Sequence, residues 1–343
     1  EGRGLQTLWQ DYRNQEYHPD RHGDQRPVVD LSCGLCRIYH EMDDGPRTKK
    51  QVGTRQFGEP WINIPDPTRA KVAILPVSYE GSVTYGRGTG LGPAALLDAS
   101  YNLELYDEEL GQETYRTGFY TYPIMTFGEG DSTPMVLDQV TEVVKQDIRA
   151  GRFTVMVGGE HSLTIGPVRA HAESGRGPFS VLQLDAHADL RYRYRGDKFS
   201  HACVMRRILE MDIGIVQVGI RSLSVGEARF IERSGLTPYY AHQIRTNATW
   251  MDQAVDDLAE RVYITLDIDV LDPTIMPATG TPEPGGLDWF QLTDFLRLVA
   301  GRKKIIGLDV VELAPIPGFE SPNFVAAKLV YRLLGYILGP LPV

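Results

Sequence analysis

Cysteine is scarce in this chain, with only Cys33, Cys36 and Cys203 among 343 residues. So small and odd a number excludes a disulfide framework and points to a reducing compartment, the cytoplasm. Cys33-Gly-Leu-Cys36 has redox or zinc spacing and His40 can extend it, but a structural zinc wants four ligands and no second cysteine pair exists. Nowhere do ~18 uncharged apolar residues run together, so no membrane span is expected. No secretory leader is visible. Excess positive charge is missing too: 35 Lys and Arg stand against 45 Asp and Glu, a formal net charge of −10. Without a basic face a phosphate backbone finds no partner surface, which argues against nucleic acid. A small cation is the better-matched guest.

What is present is ordinary globular composition, 42% hydrophobic and 23% charged. Residues 1 to about 68 stand apart, rich in charge and turn formers (His18-Pro19-Asp20, His22-Gly23-Asp24, Asp43-Asp44-Gly45-Pro46). Yet Trp9, Tyr12, Tyr17, Ile38, Tyr39, Trp61 and Ile62 are too many large apolar groups for a solvated tail. The expectation is an N-terminal extension over 1–68 that packs on its own or a neighbouring subunit, ahead of a catalytic domain over 69–343. His18, His22 and His40 read as surface residues of a turn-rich arm.

From Lys71 the texture becomes α/β. Apolar, β-branched runs read as strands at Val72–Val77, Phe153–Val157, Phe179–Gln183, Ile215–Gly219, Arg261–Leu266 and Lys304–Leu308. Helical patterns over Pro93–Ala99, Met135–Ala150, Ile165–Ala172, Trp289–Val299 and Pro322–Leu338 separate them. This alternation predicts a mainly parallel central sheet covered on both faces, a three-layer α/β/α fold. The glycine-rich stretch Gly86–Pro93 matches neither phosphate-binding pattern, since it is not GxxxxGK[ST] and no GxGxxG follows the strand directly.

In such sheets ligands bind beyond the carboxyl ends of the strands. His161, Asp185, His187, Asp189, Asp267, Asp269 and Glu312 all stand where apolar runs end. Asp185, His187 and Asp189 are spaced i, i+2, i+4, which on a strand places them on one face. Asp267 and Asp269 repeat that spacing. Four carboxylates and two imidazoles suit hard-to-borderline divalent ions, and two ions ~3.5–4 Å apart can hold a hydroxide between them at neutral pH. Counting two divalent ions, four aspartates, a hydroxide and Glu312 leaves a negative site, which welcomes a cationic electrophile and repels a phosphate ester.

Gly158-Gly159-Glu160-His161-Ser162, Asp185-Ala186-His187-Ala188-Asp189, Ser200-His201-Ala202, Thr265-Leu266-Asp267-Ile268-Asp269 and Asp309-Val310-Val311-Glu312 follow one another in the order of a known family. With Gly92-Pro93 and Thr279–Leu287, the chain from about 68 to 340 resembles the ureohydrolases, the arginases and agmatinases. The resemblance implies an arginase-like fold, two metal ions and release of urea from a guanidino group. It implies that His161 and Asp189 bind one ion, His187 and Asp269 the other, and that Asp185 and Asp267 bridge. It further implies that Asp189 passes a proton to the departing nitrogen, that Glu312 holds the guanidinium, that His201 shuttles protons, and that the subunits form a homotrimer or homohexamer. A metal-bearing non-enzyme is the reading from another class, and a urea assay separates the two.

The substrate is less directly legible. Thr279–Leu287 and Ser200-His201 resemble agmatinases more than arginases, but the following loop, Arg191–Lys198, is basic and aromatic where acids would suit a distal ammonium. The loop leaves a carboxylate-tailed substrate, or free guanidine in a pocket closed by Thr84, Tyr85, Trp289 or the extension. With its long extension the chain resembles the guanidine hydrolases, which implies free guanidine as the substrate and nickel, or else manganese, as the metal. Agmatine and guanidino acids such as guanidinobutyrate are the alternatives.

Overall fold

The computed structural model describes residues 55–128 and 130–339. Cys33, Cys36, His18, His22, His40 and the aromatic residues of the early arm lie outside the described residues. Of the predicted extension, residues 55–68 are described, and they pack onto the domain that follows. Phe57 is buried with its N–H on Thr121 Oγ1 (3.0 Å), and Gly58 N–H reaches Ser100 Oγ (2.7 Å).

Strand β1 (Val72–Ser78) opens the domain and leads to α1 (Gly92–Ser100), with Pro93 in its first turn. A small hairpin, β2 (Tyr106–Asp107) and β3 (Gln112–Glu113), precedes the short strands β4 (Phe119–Thr121) and β5 (Met125–Thr126). The regular units then follow: α2 (Thr133–Ala150), β6 (Phe153–Gly158), α3 (Ile165–Glu173), β7 (Ser180–Leu184) and α4 (Val204–Leu209). Next come β8 (Gly214–Ile220), α5 (Val225–Ser234), β9 (Tyr239–Tyr240), α6 (Ala241–Ile244) and α7 (Trp250–Asp257). The chain closes with β10 (Arg261–Asp267), α8 (Trp289–Arg302), β11 (Lys304–Val311) and α9 (Ser321–Leu338). The predicted elements form, with ends moved by a few residues. The hairpin and β4 have no sequence period long enough to announce them.

Among the described residues β1 and β4–β11 form one nine-stranded sheet, ordered β4-β1-β6-β11-β10-β7-β8-β9 with β5 also on β1, and each pairing is parallel. Side chains alternate between its faces. Val72, Ile74, Val155, Val157, Leu182 and Leu184 join one apolar core with residues of α1, α7, α8 and α9. Leu75, Val77, Met156 and Val181 face the other way, into cores built with α2, α3, α4 and α5. Burial on both faces is why these strands read as continuous apolar runs. The fold is α/β/α, as expected.

The strand order is what positions the site. Strands β6, β11, β10 and β7 carry the polar motifs at their carboxyl ends, and they lie side by side. Register aligns those ends: Leu266 pairs with Leu184, Asp267 with Val311 and Val310 with Val157. Glycine is required at one close approach here, since a Cβ on Gly159 would lie 2.0 Å from Tyr79 O.

Candidate metal centre

The same-face argument for Asp185, His187 and Asp189 needs correcting. Strand β7 ends at Leu184, so none of the three lies on a strand. They converge because the chain turns. Asp185 Oδ1 accepts the His187 N–H at 2.6 Å, folding the backbone over the carboxylate. Asp189 adopts a left-handed conformation (φ 51°), which costs a non-glycine residue roughly 1–3 kcal/mol. Its neighbours hold it there: Met205 N–H, in the first turn of α4, donates to Asp189 O (3.1 Å), and Leu190 N–H donates to Glu227 Oε1 (3.0 Å). Asp267 is the last residue of β10, and Asp269 sits in the following 3₁₀ turn, whose N–H is capped by Asp267 Oδ1 (3.0 Å). The spacing identified the right side chains through the wrong geometry.

The six residues form one buried cluster. His161 Nδ1 lies 3.1, 3.0 and 3.4 Å from carboxylate oxygens of Asp185, Asp189 and Asp267. His187 Nδ1 lies 2.9 Å from Asp269 Oδ2 and 3.6 Å from Asp185 Oδ1. Two groups of ligand atoms lie within 4.8 Å of one another, His161/Asp185/Asp267 and Asp185/His187/Asp269. Asp185 is common to both, as a bridge would be.

Whether divalent ions fit can be tested on the protons. Thr265 Oγ1 donates its single proton to Asp309 Oδ1 (2.7 Å), a buried carboxylate that also receives Tyr263 OH (2.7 Å). His161 Nε2, 2.9 Å from the same Thr265 oxygen, must therefore be the donor of that pair. In the neutral ring that a metal requires, Nδ1 is then the bare nitrogen, buried and aimed at three carboxylates. A bare imidazole nitrogen facing oxygen donors, with its ring fixed from behind by a hydrogen bond, is the arrangement a metal ligand needs. Gln183 Nε2 likewise orients Asp185, at 2.6 Å from Oδ2. The donor set fits.

Electrostatics agree. Burial, reinforced by the charge of Asp185, pushes Asp189 up to about 7. Burial, with Asp269 and Asp185 beside it, holds Asp267 well above the carboxylate range. Burial alone would lower both histidines, but the surrounding aspartates outweigh it, raising His161 strongly and His187 to about 12. Asp185 moves down instead: burial opposes this, and the two imidazoles outweigh burial. Groups whose folded pKa is raised stabilise the fold below their unfolded pKa, and that contribution is lost as pH rises through the folded value. The metal-free protein should thus lose stability from about pH 4 to pH 7 as Asp189 ionises and further above about pH 6.5 through His187, the protons being those that divalent ions displace. Each displaced proton tightens apparent metal affinity about tenfold per pH unit. The expected result is a larger rise in Tm on adding Mn²⁺ at pH 8 than at pH 6, read by thermal melts with and without chelator. An equal rise at both would refute the proton-holding cluster.

A cavity of about 250 Å³ opens over the cluster. Glu312 lines it, held in a left-handed conformation (φ 66°) by its N–H on Gly159 O (2.8 Å), while its Oε1 accepts the His161 N–H (2.7 Å). Burial raises Glu312 to about 8, against the pull of that N–H. His201 and Thr84 line the cavity, and His201 Nε2 lies 2.8 Å from Thr84 Oγ1. On its other side His201 Nδ1 meets Ser82 Oγ (2.7 Å), and Ser82 is anchored by buried Glu160. Nothing in the sequence gave Ser82 or Glu160 a role.

Two further expectations change. Trp289 is not among the lining residues: it begins α8 and packs, half-buried, against the core beneath the sheet. The basic loop faces the cavity only through Arg191 and Tyr194. Lys198, Arg206 and Arg207 gather around Tyr192 instead, and Arg195 donates to Val83 O. Arg191 stacks over Tyr194 and lies 3.6 Å from Glu227, which together with Glu283 gives the cavity wall two acids. Glu283 stands in a motif the sequence offered, but its position 3.9 Å from His187 Nε2 is tertiary information.

Fold and site together define a class: α/β/α proteins with a place for divalent ions at the carboxyl edge of a parallel sheet. Residues 70–335 match the arginase family. The chain belongs to that family and is a ureohydrolase of the agmatinase-like branch. It is 38% identical over 291 residues to an N(1)-aminopropylagmatine ureohydrolase of Synechocystis, covering 83% of this chain and 94% of the relative. An agmatinase of Pyrococcus horikoshii is 34% identical, over 80% of this chain and 94% of its own length. The crystal structure of agmatine ureohydrolase of Thermoplasma volcanium superposes with a TM-score of 0.73 at 30% identity, covering 81% and 93% of the two chains. Among the described residues no helix is long and apolar enough to cross a membrane.

Proposed function

We propose that the protein hydrolyses the guanidino group of an amine-tailed substrate, agmatine or its N(1)-aminopropyl derivative, to urea and the free amine. The observation that carries this reading is the partly exposed carboxylate of Glu283 in the wall of the cavity that also holds Glu312. Arg191 sits beside Glu227 and is partly neutralised by it, so the wall does not repel a distal ammonium. A lone guanidinium would use only the Glu312 end. Relatives named for amine-bearing guanidines point the same way. The free-guanidine expectation therefore yields to its agmatine-type alternative.

His161, Asp185, His187, Asp189, Asp267 and Asp269 would hold two divalent ions. When bound, such ions supply Lewis acidity and lower the pKa of water by several units. Glu312 grips the planar guanidinium through charge-assisted hydrogen bonds, and the arriving cation favours its ionised form. Asp189, within the same cluster, would take a proton and return it to the departing nitrogen. His201, fixed on both ring nitrogens by Ser82 and Thr84, is placed to carry protons between cavity and solvent. Imidazole and carboxylate serve manganese and nickel alike, so the choice of metal rests on reconstitution.

The test is urea release from metal-free protein loaded separately with Mn²⁺ and Ni²⁺, offered agmatine, N(1)-aminopropylagmatine, guanidinobutyrate and guanidine. Turnover confined to the amine-tailed pair is expected. Turnover of guanidine with none of either amine would overturn the proposal.

A further inference from the structure

We infer that Arg221 is a positioning residue that secures one half of the metal cluster, the Asp185/His187/Asp269 half, together with Glu283. This rests on the paired-metal reading above. Arg221 follows β8 and contacts neither a ligand side chain nor the cavity. Its guanidinium instead gathers main-chain carbonyls. Nη2 donates to Asp269 O (2.6 Å) and Glu283 O (2.8 Å), Nε to Glu283 O (3.1 Å) and Nη1 to Gly219 O (3.1 Å). Longer bonds of 3.4 Å reach Val270 O and Leu271 O. Its own N–H donates to Ala186 O (2.8 Å), in the peptide between Asp185 and His187.

One residue thus ties together three segments: its main-chain N–H holds the one that carries Asp185 and His187, and its guanidinium holds those of Asp269 and Glu283. Among the described residues no hydrogen bond joins Arg221 to the segment of His161, and Asp189 is reached only through the 185–189 segment that it shares with Asp185 and His187. Asp269 in turn accepts the Ala186 N–H on Oδ1 (2.9 Å), so displacing the 269–271 carbonyls moves a ligand of that half directly. The chain can bend to bring Arg221 here because Gly219 takes a left-handed turn (φ 96°). A Cβ there would lie 2.8 Å from Val270 Cγ2 and 3.0 Å from Asp185 O. The planar fork is what the task needs: five N–H donors of fixed direction span carbonyls on separate segments, while an ammonium concentrates its donors at one point.

The inference predicts unequal loss of the two metal ions. Metal-free wild type and Arg221→Lys would be titrated with MnCl₂ by calorimetry, and bound ions counted after gel filtration. Wild type should take two equivalents per chain. In Arg221→Lys one equivalent should keep its affinity while the other weakens ~10–100-fold, the range for residues that orient metal ligands. Manganese spectra should change accordingly, from a spin-coupled pair to an isolated ion at limiting metal, with the pair restored by excess Mn²⁺. Arg221→Met, which keeps an apolar stem and the main-chain N–H but removes every side-chain donor, should lose the same equivalent more completely. Glu283→Gln should keep both equivalents and raise KM for an amine-tailed substrate. Equal weakening of both equivalents, or of neither, in either folded Arg221 variant would overturn the inference. Wild type that fails to take two equivalents would instead overturn the metal centre on which it rests.

Discussion

Asp267→Ala should yield a folded chain that binds no divalent metal tightly and releases no measurable urea. Asp267 sits next to the His161 group and within the same carboxylate cluster as Asp269 and Asp185. Metal ions contribute several kcal/mol of transition-state stabilisation. At about 1.36 kcal/mol per decade, losing them lowers turnover by ~10³-fold or more. The fold should survive. The substitution removes one cap, the hydrogen bond to Asp269 N–H, worth about 1 kcal/mol. Against that loss it removes a buried carboxylate crowded by two others, whose raised pKa marks its ionised form as unfavourable without metal. Elemental analysis of the purified variant, a urea assay and a thermal melt test all three parts. Retained turnover would sink the assignment of the centre.

Glu312→Gln should separate substrate binding from metal binding. Glutamine keeps the shape and can still accept the His161 N–H, so metal stoichiometry should not change. What disappears is the negative charge facing the guanidinium. Hydrogen bonds to charged groups contribute ~1.5–3 kcal/mol each, so losing a pair lowers kcat/KM by ~10²–10⁴-fold. A stability effect accompanies this. The raised folded pKa of Glu312, about 8, means that its contribution is present below the ordinary carboxylate range and lost as pH rises through that value. The metal-free variant should therefore match wild type at pH 5 and exceed its Tm at pH 9. A variant with normal kcat/KM, or with one metal ion lost, would refute the assigned role.

Much of this centre is legible in the one-dimensional chain because its donors sit at boundaries. Asp185, Asp267 and His161 each follow an apolar run of strand length, and a parallel sheet directs such ends to one edge. Glu312 follows the same rule. Local turn geometry is not legible in that way. Asp189 reaches His161 through a left-handed residue held by α4 and Glu227, and no period in the sequence encodes a turn that distant segments stabilise. Trp289 illustrates the opposite error: an aromatic near a site motif invites a substrate role, while helix α8 turns it into the core. In the loop after Asp189, counting basic residues suggested a positive wall. The cation–π stacking around Tyr192 turns two of those charges, Arg193 and Lys198, elsewhere.

The sequence by itself determined the element types, the six metal-ligating candidates with Glu312, and a site whose charge favours a cationic electrophile. That the electrophile is a guanidino carbon was implied by the resemblance to the ureohydrolases. Hydrophobic period and donor type are properties of neighbouring residues, so they can be read without coordinates. Tertiary structure alone decided that β6, β11, β10 and β7 stand side by side although they occur in the chain as β6, β7, β10, β11. Crossover connections and the packing of helices on both faces set that order. It also decided which charges enter the cavity, bringing in Glu227 and Glu283 and turning Lys198 away, because side-chain direction in a loop follows contacts made far off in sequence.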